Sequence, residues 1–245
     1  MQTGTTIVSA LAVAMLAGAA SGQTILIDFG TDATFRGASV PSPDGNGNSW
    51  NSLDSFAFNT NLLDAAGVGT GVNLGFSRLE GTDSFNGPLT DAGGLGDPSL
   101  PGLGAGLGDL AVGEAAFDYF VNPRFDIFNL DDSAQYEVTL YGGRKFGDGN
   151  TSNYQILSDN SATPVTLASL DLDHANAGNF IANTDTVVSA IVTPGGGGTL
   201  TIDVSGGLDG GSGYINAMSI RLIPSPASMA LLGLGGLAAT RRRRG

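Results

Sequence analysis

Apolar and polar side chains alternate with a period of two along much of the chain. In YEVTLYG (136–142), Tyr136, Val138 and Leu140 alternate with Glu137 and Thr139; in TLTIDVS (199–205), Leu200, Ile202 and Val204 alternate with Thr201 and Asp203. This period puts one set of side chains in a core and the other in water, as in a half-buried antiparallel strand. TILIDF (24–29), VNLGFS (72–77), RFDIFNL (124–130), YQILSD (154–159), VTLASLDL (165–172), TVVSAIV (186–192) and YINAMSIRL (214–222) extend the series. Turn-rich stretches separate them: PSPDGNGN (41–48), a glycine-rich run at 93–110, GDGNTSN (147–153) and PGGGG (194–198). Short strands between turn clusters predict an all-β antiparallel sandwich. A helical turn is expected only near 62–66 or 114–120. GLGAGLG (102–108) follows no strand, so it reads as a long loop and not as a phosphate cradle.

Composition agrees with this reading. The chain has 39 glycines, one lysine (Lys145), and glutamate only at Glu80, Glu114 and Glu137, the other acids being aspartate. Asp and Gly favour turns, whereas Glu and Lys favour helices. The absence of cysteine excludes disulfides, thiolate metal sites and a cysteine nucleophile. The formal net charge is −13, and four of the ten basic residues close the chain, which leaves six against 23 acids in the rest. Such a surface repels phosphates and anionic lipid. This argues against nucleic acid and against peripheral membrane binding, and it leaves divalent cations or neutral glycans as expected partners.

The two ends differ from the body. Residues 7–20, IVSALAVAMLAGAA, have the length and apolarity of a signal-peptide core, and Ala20, Ser21 and Gly22 supply small residues for cleavage before Gln23. Residues 1–22 are thus predicted to be a signal peptide, although the segment before the apolar run lacks Lys and Arg. Residues 23–223 form the predicted β-sandwich domain. At the C-terminus, Pro224, Ser225 and Pro226 precede an uncharged apolar stretch (227–240), and Arg241, Arg242, Arg243 and Arg244 follow it. As a helix those 14 residues reach about 21 Å at ~1.5 Å each, short of a hydrocarbon core of roughly 30 Å. The arginines mark the cytoplasmic side, which leaves the body outside and makes this tail the membrane contact.

This tail (224–245) resembles the PEP-CTERM sorting signal of Gram-negative bacteria, with Ser225 where that family has glutamate. The resemblance implies an exosortase and the export machinery as partners, and delivery of the body to the cell envelope or extracellular polysaccharide. Within 23–222, TILIDFG, SWNSL, YEVTLYGGR and GYINAMSIRL in that order resemble the galactose-binding-like jelly-roll sandwiches. That resemblance implies a carbohydrate-binding module.

Several residues are candidates for chemistry. Sugar recognition combines an aromatic surface with planar hydrogen-bonding groups, which directs attention to Trp50, Asn51, Arg144, Tyr214 and Asn216. Asp44, Asn46 and Asn48 have the alternate-oxygen spacing that opens a calcium loop, so a structural calcium is the cofactor they would hold; Ser49 and Ser55 then depart from that pattern. Asp171 with Asp173, and Asp148 with Asn150, offer partial sets. His174 is the sole histidine and has no nucleophile motif beside it, while Asp131 and Asp132 are a carboxylate pair of the type glycosidases use. The expectation is a non-enzymatic, exported β-sandwich that binds polysaccharide. A purely structural surface protein is the alternative, ahead of an esterase or glycosidase.

Overall fold

The computed structural model describes residues 23–30, 39–53, 56–83, 103–116, 118–144, 151–173, 175–176, 181–208 and 210–224. The strands are β1 (Thr24–Phe29), β2 (Asn51–Leu53), β3 (Phe58–Asn59), β4 (Asn73–Arg78), β5 (Gly81–Asp83), β6 (Tyr119–Val121), β7 (Arg124–Phe128) and β8 (Gln135–Tyr141). They continue with β9 (Thr151–Leu157), β10 (Thr166–Asp173), β11 (Ala175–Asn176), β12 (Ile181–Ala182), β13 (Val188–Val192), β14 (Leu200–Gly206), β15 (Tyr214–Ile215) and β16 (Ala217–Ile223).

Two sheets face each other, one in the order β13-β8-β16-β1-β2 and the other in the order β10-β9-β14-β7-β4-β3. All pairs in both sheets are antiparallel except β1 with β2. The alternating apolar positions meet between the sheets: Ile25 and Ile27 of β1, Val138 and Leu140 of β8, and Ile202 and Val204 of β14 share one buried cluster. Phe29, Phe76, Phe120 and Phe125 pack there with ring centroids 5.2 to 6.3 Å apart. The chain is an all-β sandwich.

A second apolar cluster covers part of the outer face of the five-stranded sheet. Leu26, Tyr141 and Ala217 point outward there and are buried by Trp50, Leu107 and Leu110. Leu107 and Leu110 come from the described part of the glycine-rich run (103–110), which forms a 3-10 segment at Ala105–Leu110, and a second 3-10 turn follows at Gly113–Ala116. The first is kinked at Gly108, whose φ of 57° is in the region that glycine adopts without a Cβ clash. This cover explains why β1 is buried on both faces.

Local burial also changes two expected elements. YINAMSIRL splits into β15 and β16 because Asn216 turns its amide to backbone groups, so that β15 joins β6 and β5 in a small separate sheet. Residues 62–66 form a turn beside a Leu63–Gly69 bridge, and no helix. The signal segment (1–22) and the apolar tail (227–240) lie outside the described residues. Among the described residues no helix is long and apolar enough to cross a membrane.

Candidate functional site

Of the five predicted sugar-contact residues, three meet at the end of β8. Asn216 is fully buried; its Oδ1 accepts from the Gly143 N–H at 2.7 Å, and its Nδ2 donates to the Asp118 carbonyl at 2.6 Å. Arg144 donates through Nη1 to the Tyr214 hydroxyl, and its guanidinium carbon lies 4.6 Å from that ring's centroid. Tyr214 is itself buried against Tyr119 in an edge-to-face pair at 5.0 Å. Below them Tyr154 donates to the Tyr214 carbonyl at 2.5 Å, and burial raises the pKa of both Tyr154 and Tyr141. Tyr214, Asn216 and Tyr154 are buried, whereas Arg144 is half-buried and its Nε has no hydrogen-bond partner among the described residues.

Trp50 and Asn51 lie elsewhere and also face inward. Trp50 is 3 % exposed, and its indole N–H donates to Asp44 Oδ2 at 2.9 Å. The Asn51 amide is spent on backbone: Nδ2 donates to the Leu26 and Leu63 carbonyls, and Oδ1 accepts from the Leu63 N–H. Asp44 Oδ1 accepts from the N–H groups of Asn46 and Asn48 at 2.8 and 2.9 Å. Burial opposes the charged carboxylate, but the Trp50 indole and the Asn48 and Asn46 N–H groups outweigh it and hold the Asp44 pKa below the usual value. The 44–48 turn is thus built around the carboxylate, with N–H donors where a calcium ion would need oxygens.

The other acidic candidates are also engaged. Asp131 accepts from Ser133 through both hydroxyl and backbone N–H, which lowers its pKa. Asp171 accepts from the Asn153 amide at 2.8 Å. No group of three His, Cys, Asp or Glu among the described residues is placed to hold a metal ion. His174, Asp148 and Asn150 lie outside the described residues, as do Ser225, Pro226 and the four terminal arginines; Pro224 directly follows β16.

Two open surfaces carry groups that the alternation pattern did not single out. On the outer face of the six-stranded sheet, Phe58 of edge strand β3 is 58 % exposed and lies 5.7 Å from the half-buried Phe128 ring, tilted by 43°. Gly75, paired with Phe58, makes room for both rings: a Cβ there would fall 2.6 Å from Phe58 and 3.5 Å from Phe128. Next along the same row are Asp126 and Thr201, joined at 2.6 Å, with the Asn160 amide donating to Asp126 at 3.2 Å. One exposed and one half-buried phenyl group thus lie along this edge with the exposed Asn160 amide nearby, while Asp126 and Thr201 are buried and bonded to each other.

On the outer face of the five-stranded sheet there is a groove of about 320 Å³. Ser189, Thr139 and Ser219 stand side by side across β13, β8 and β16 and form its floor. One row along, Arg221 donates to Glu137 Oε2 through Nε at 2.9 Å and through Nη2. The Ala105–Leu110 segment forms the wall, held down by Leu107 and Leu110 and by a 2.6 Å bond from Gly104 N–H to the Thr184 carbonyl.

Fold and surfaces together define an all-β sandwich with an aromatic edge on one face and a hydroxyl-lined groove on the other. No family model matches the chain, and no curated protein matches it. Among solved structures, the crystal structure of protein YXIM from Bacillus subtilis aligns over 82 % of this chain at 12 % identity with a TM-score of 0.37. The chain spans 40 % of the length of that protein.

Proposed function

We propose that this is an exported protein of the cell envelope or extracellular matrix, sorted through its C-terminal tail, whose β-sandwich binds neutral polysaccharide without catalysing a reaction. The end segments support export: an apolar core of signal-peptide length, and a proline-flanked apolar tail capped by arginines. The PEP-CTERM resemblance adds an exosortase as the processing partner. Strand orders β1-β16-β8-β13 and β7-β14-β9-β10 support the jelly-roll reading of the sandwich, with chain-consecutive strands repeatedly crossing between sheets.

The observation that carries the binding reading is the exposed Phe58 ring against the half-buried Phe128 ring at the sheet edge, with the exposed Asn160 amide held nearby by the buried Asp126. Apolar rings with a few fixed polar groups suit a sugar, which has an apolar face and a rim of hydroxyls. The acidic body favours neutral glycans over polyanionic ones.

A glycan array probed with the full chain, and again with Phe58→Ala and Phe128→Ala, tests this. Binding to at least one neutral glycan is expected, with the affinity of this face weakened at least about tenfold in each variant, equivalent to about 1.4 kcal/mol or more. If no neutral glycan binds, the reading fails in favour of a purely structural surface protein.

A further inference from the structure

We infer that the groove over Ser189, Thr139 and Ser219 is a second glycan site, and that the protein is therefore a bivalent cross-linker of neutral polysaccharide. This rests on the glycan-binding reading of the Phe58 face and extends it. The two surfaces are on outer faces of opposite sheets, back to back across the core. Facing sheets are roughly 10 Å apart, and neither site reaches through the core between them. A single glycan chain seated on one face is thus remote from the other, and two chains can be held at once.

The groove's chemistry fits a neutral polyol. Each floor hydroxyl both donates and accepts, which matches a row of sugar hydroxyls. The three lie on adjacent strands, so they are spaced at about 4.8 Å. At the end of the groove, Glu137 Oε2 takes the Arg221 bonds, and Oε1 is left to accept from a sugar hydroxyl. Arg221 is already neutralised by Glu137, and Asp109 lines the same groove, so a carboxylated or sulfated chain gains no unpaired cation there. The volume lies near the lower end of the roughly 300–1,000 Å³ range of ligand pockets.

The test is calorimetric stoichiometry together with light scattering, using the full chain with galactomannan, xyloglucan and dextran, and with short oligosaccharides cut from whichever of them binds. The variants are Phe58→Ala for one face and the near-isosteric pair Thr139→Val with Ser219→Ala for the other; native Trp50 emission serves as the folding control. Wild type is expected to take two oligosaccharides per chain and to raise scattering with the polymer. Each variant is expected to take one and to lose the scattering increase while still binding. A wild-type stoichiometry of one that Phe58→Ala abolishes and the groove pair leaves unchanged overturns the cross-linker and leaves the Phe58 reading intact. If none of the three polymers binds and the glycan array is also blank, both fall.

Discussion

The indole N–H of Trp50 donates to Oδ2 of Asp44 at 2.9 Å, and both residues are buried. This bond ties the polar 41–48 loop to the apolar cluster under the Ala105–Leu110 wall, because Trp50 belongs to that cluster. It makes two residues that the sequence marked for ligands, one for sugar and one for calcium, into each other's partners.

Asp44→Asn is expected to cost about 2 kcal/mol at neutral pH, since it offers the indole and two backbone N–H groups a weaker acceptor. The Asp44 pKa is lowered on folding, so its contribution is complete above its ordinary value of 3.8 and disappears as pH falls through the lowered one. Urea unfolding of wild type and variant across this range checks the sign: the gap between them should be constant from pH 7 to about 5 and close below about 4.

Trp50 is the only tryptophan, so its emission reports one site. The native spectrum is expected to be blue-shifted, to move red on unfolding, and to stay unchanged when polysaccharide is added. Trp50→Ala should cost about 3–5 kcal/mol through the cavity it leaves. Trp50→Phe should keep glycan binding; loss of binding in a folded Trp50→Phe protein would restore tryptophan to the site.

Calcium at millimolar concentration is expected to leave the thermal midpoint where a chelator puts it. Asp44 already accepts three N–H groups, and a cation would have to displace them. Differential scanning calorimetry with and without chelator measures this directly.

Two glycines should separate binding from stability. At Gly142 a Cβ would fall 2.3 Å from the Tyr154 hydroxyl and 2.6 Å from the Tyr214 carbonyl, so Gly142→Ala is expected to destabilise by about 1–3 kcal/mol. At Gly75 the nearest obstacle is the exposed Phe58 ring, which can swing away. Gly75→Ala should therefore cost less than about 1 kcal/mol and weaken glycan binding by moving the ring.

The mature protein recovered from cells is expected to begin at Gln23 and to lack the arginine cluster. Mass spectrometry of its termini after cell fractionation reads both cleavages. Retention of Arg241, Arg242, Arg243 and Arg244 on envelope-bound protein would make the tail a permanent anchor.

Much of the sandwich was legible because a half-buried strand records its two faces locally. Val138 and Leu140 against Glu137 and Thr139 needed no partner strand to be read. Where burial is two-sided the pattern fails: Asp28 on β1 is 1 % exposed because the outer face of the sheet is covered. Edge elements such as β3 are too short to show a period. Asn216 reads as one position in a strand, yet its amide breaks that strand by bonding groups about 70 and 100 residues away in sequence.

The candidate site was less legible for the same reason. Residue type alone pointed to Trp50, Asn51, Arg144, Tyr214 and Asn216; the side chains of Trp50, Asn51, Tyr214 and Asn216 are spent on internal hydrogen bonds and packing, while Arg144 keeps a buried Nε without a hydrogen-bond partner. Phe58 carried no such mark, since an isolated phenylalanine reads as core; it is exposed because β3 lies at the sheet edge and Gly75 leaves space beneath the ring. By itself the sequence determined the all-β class, the acidic body and the distinct character of the two ends, because alternation, charge and apolar run length are properties of neighbouring residues. Only the tertiary structure decided which polar groups are spent inside and which remain on an open face, because hydrogen-bond partners and solvent exposure are set by segments that meet only after folding.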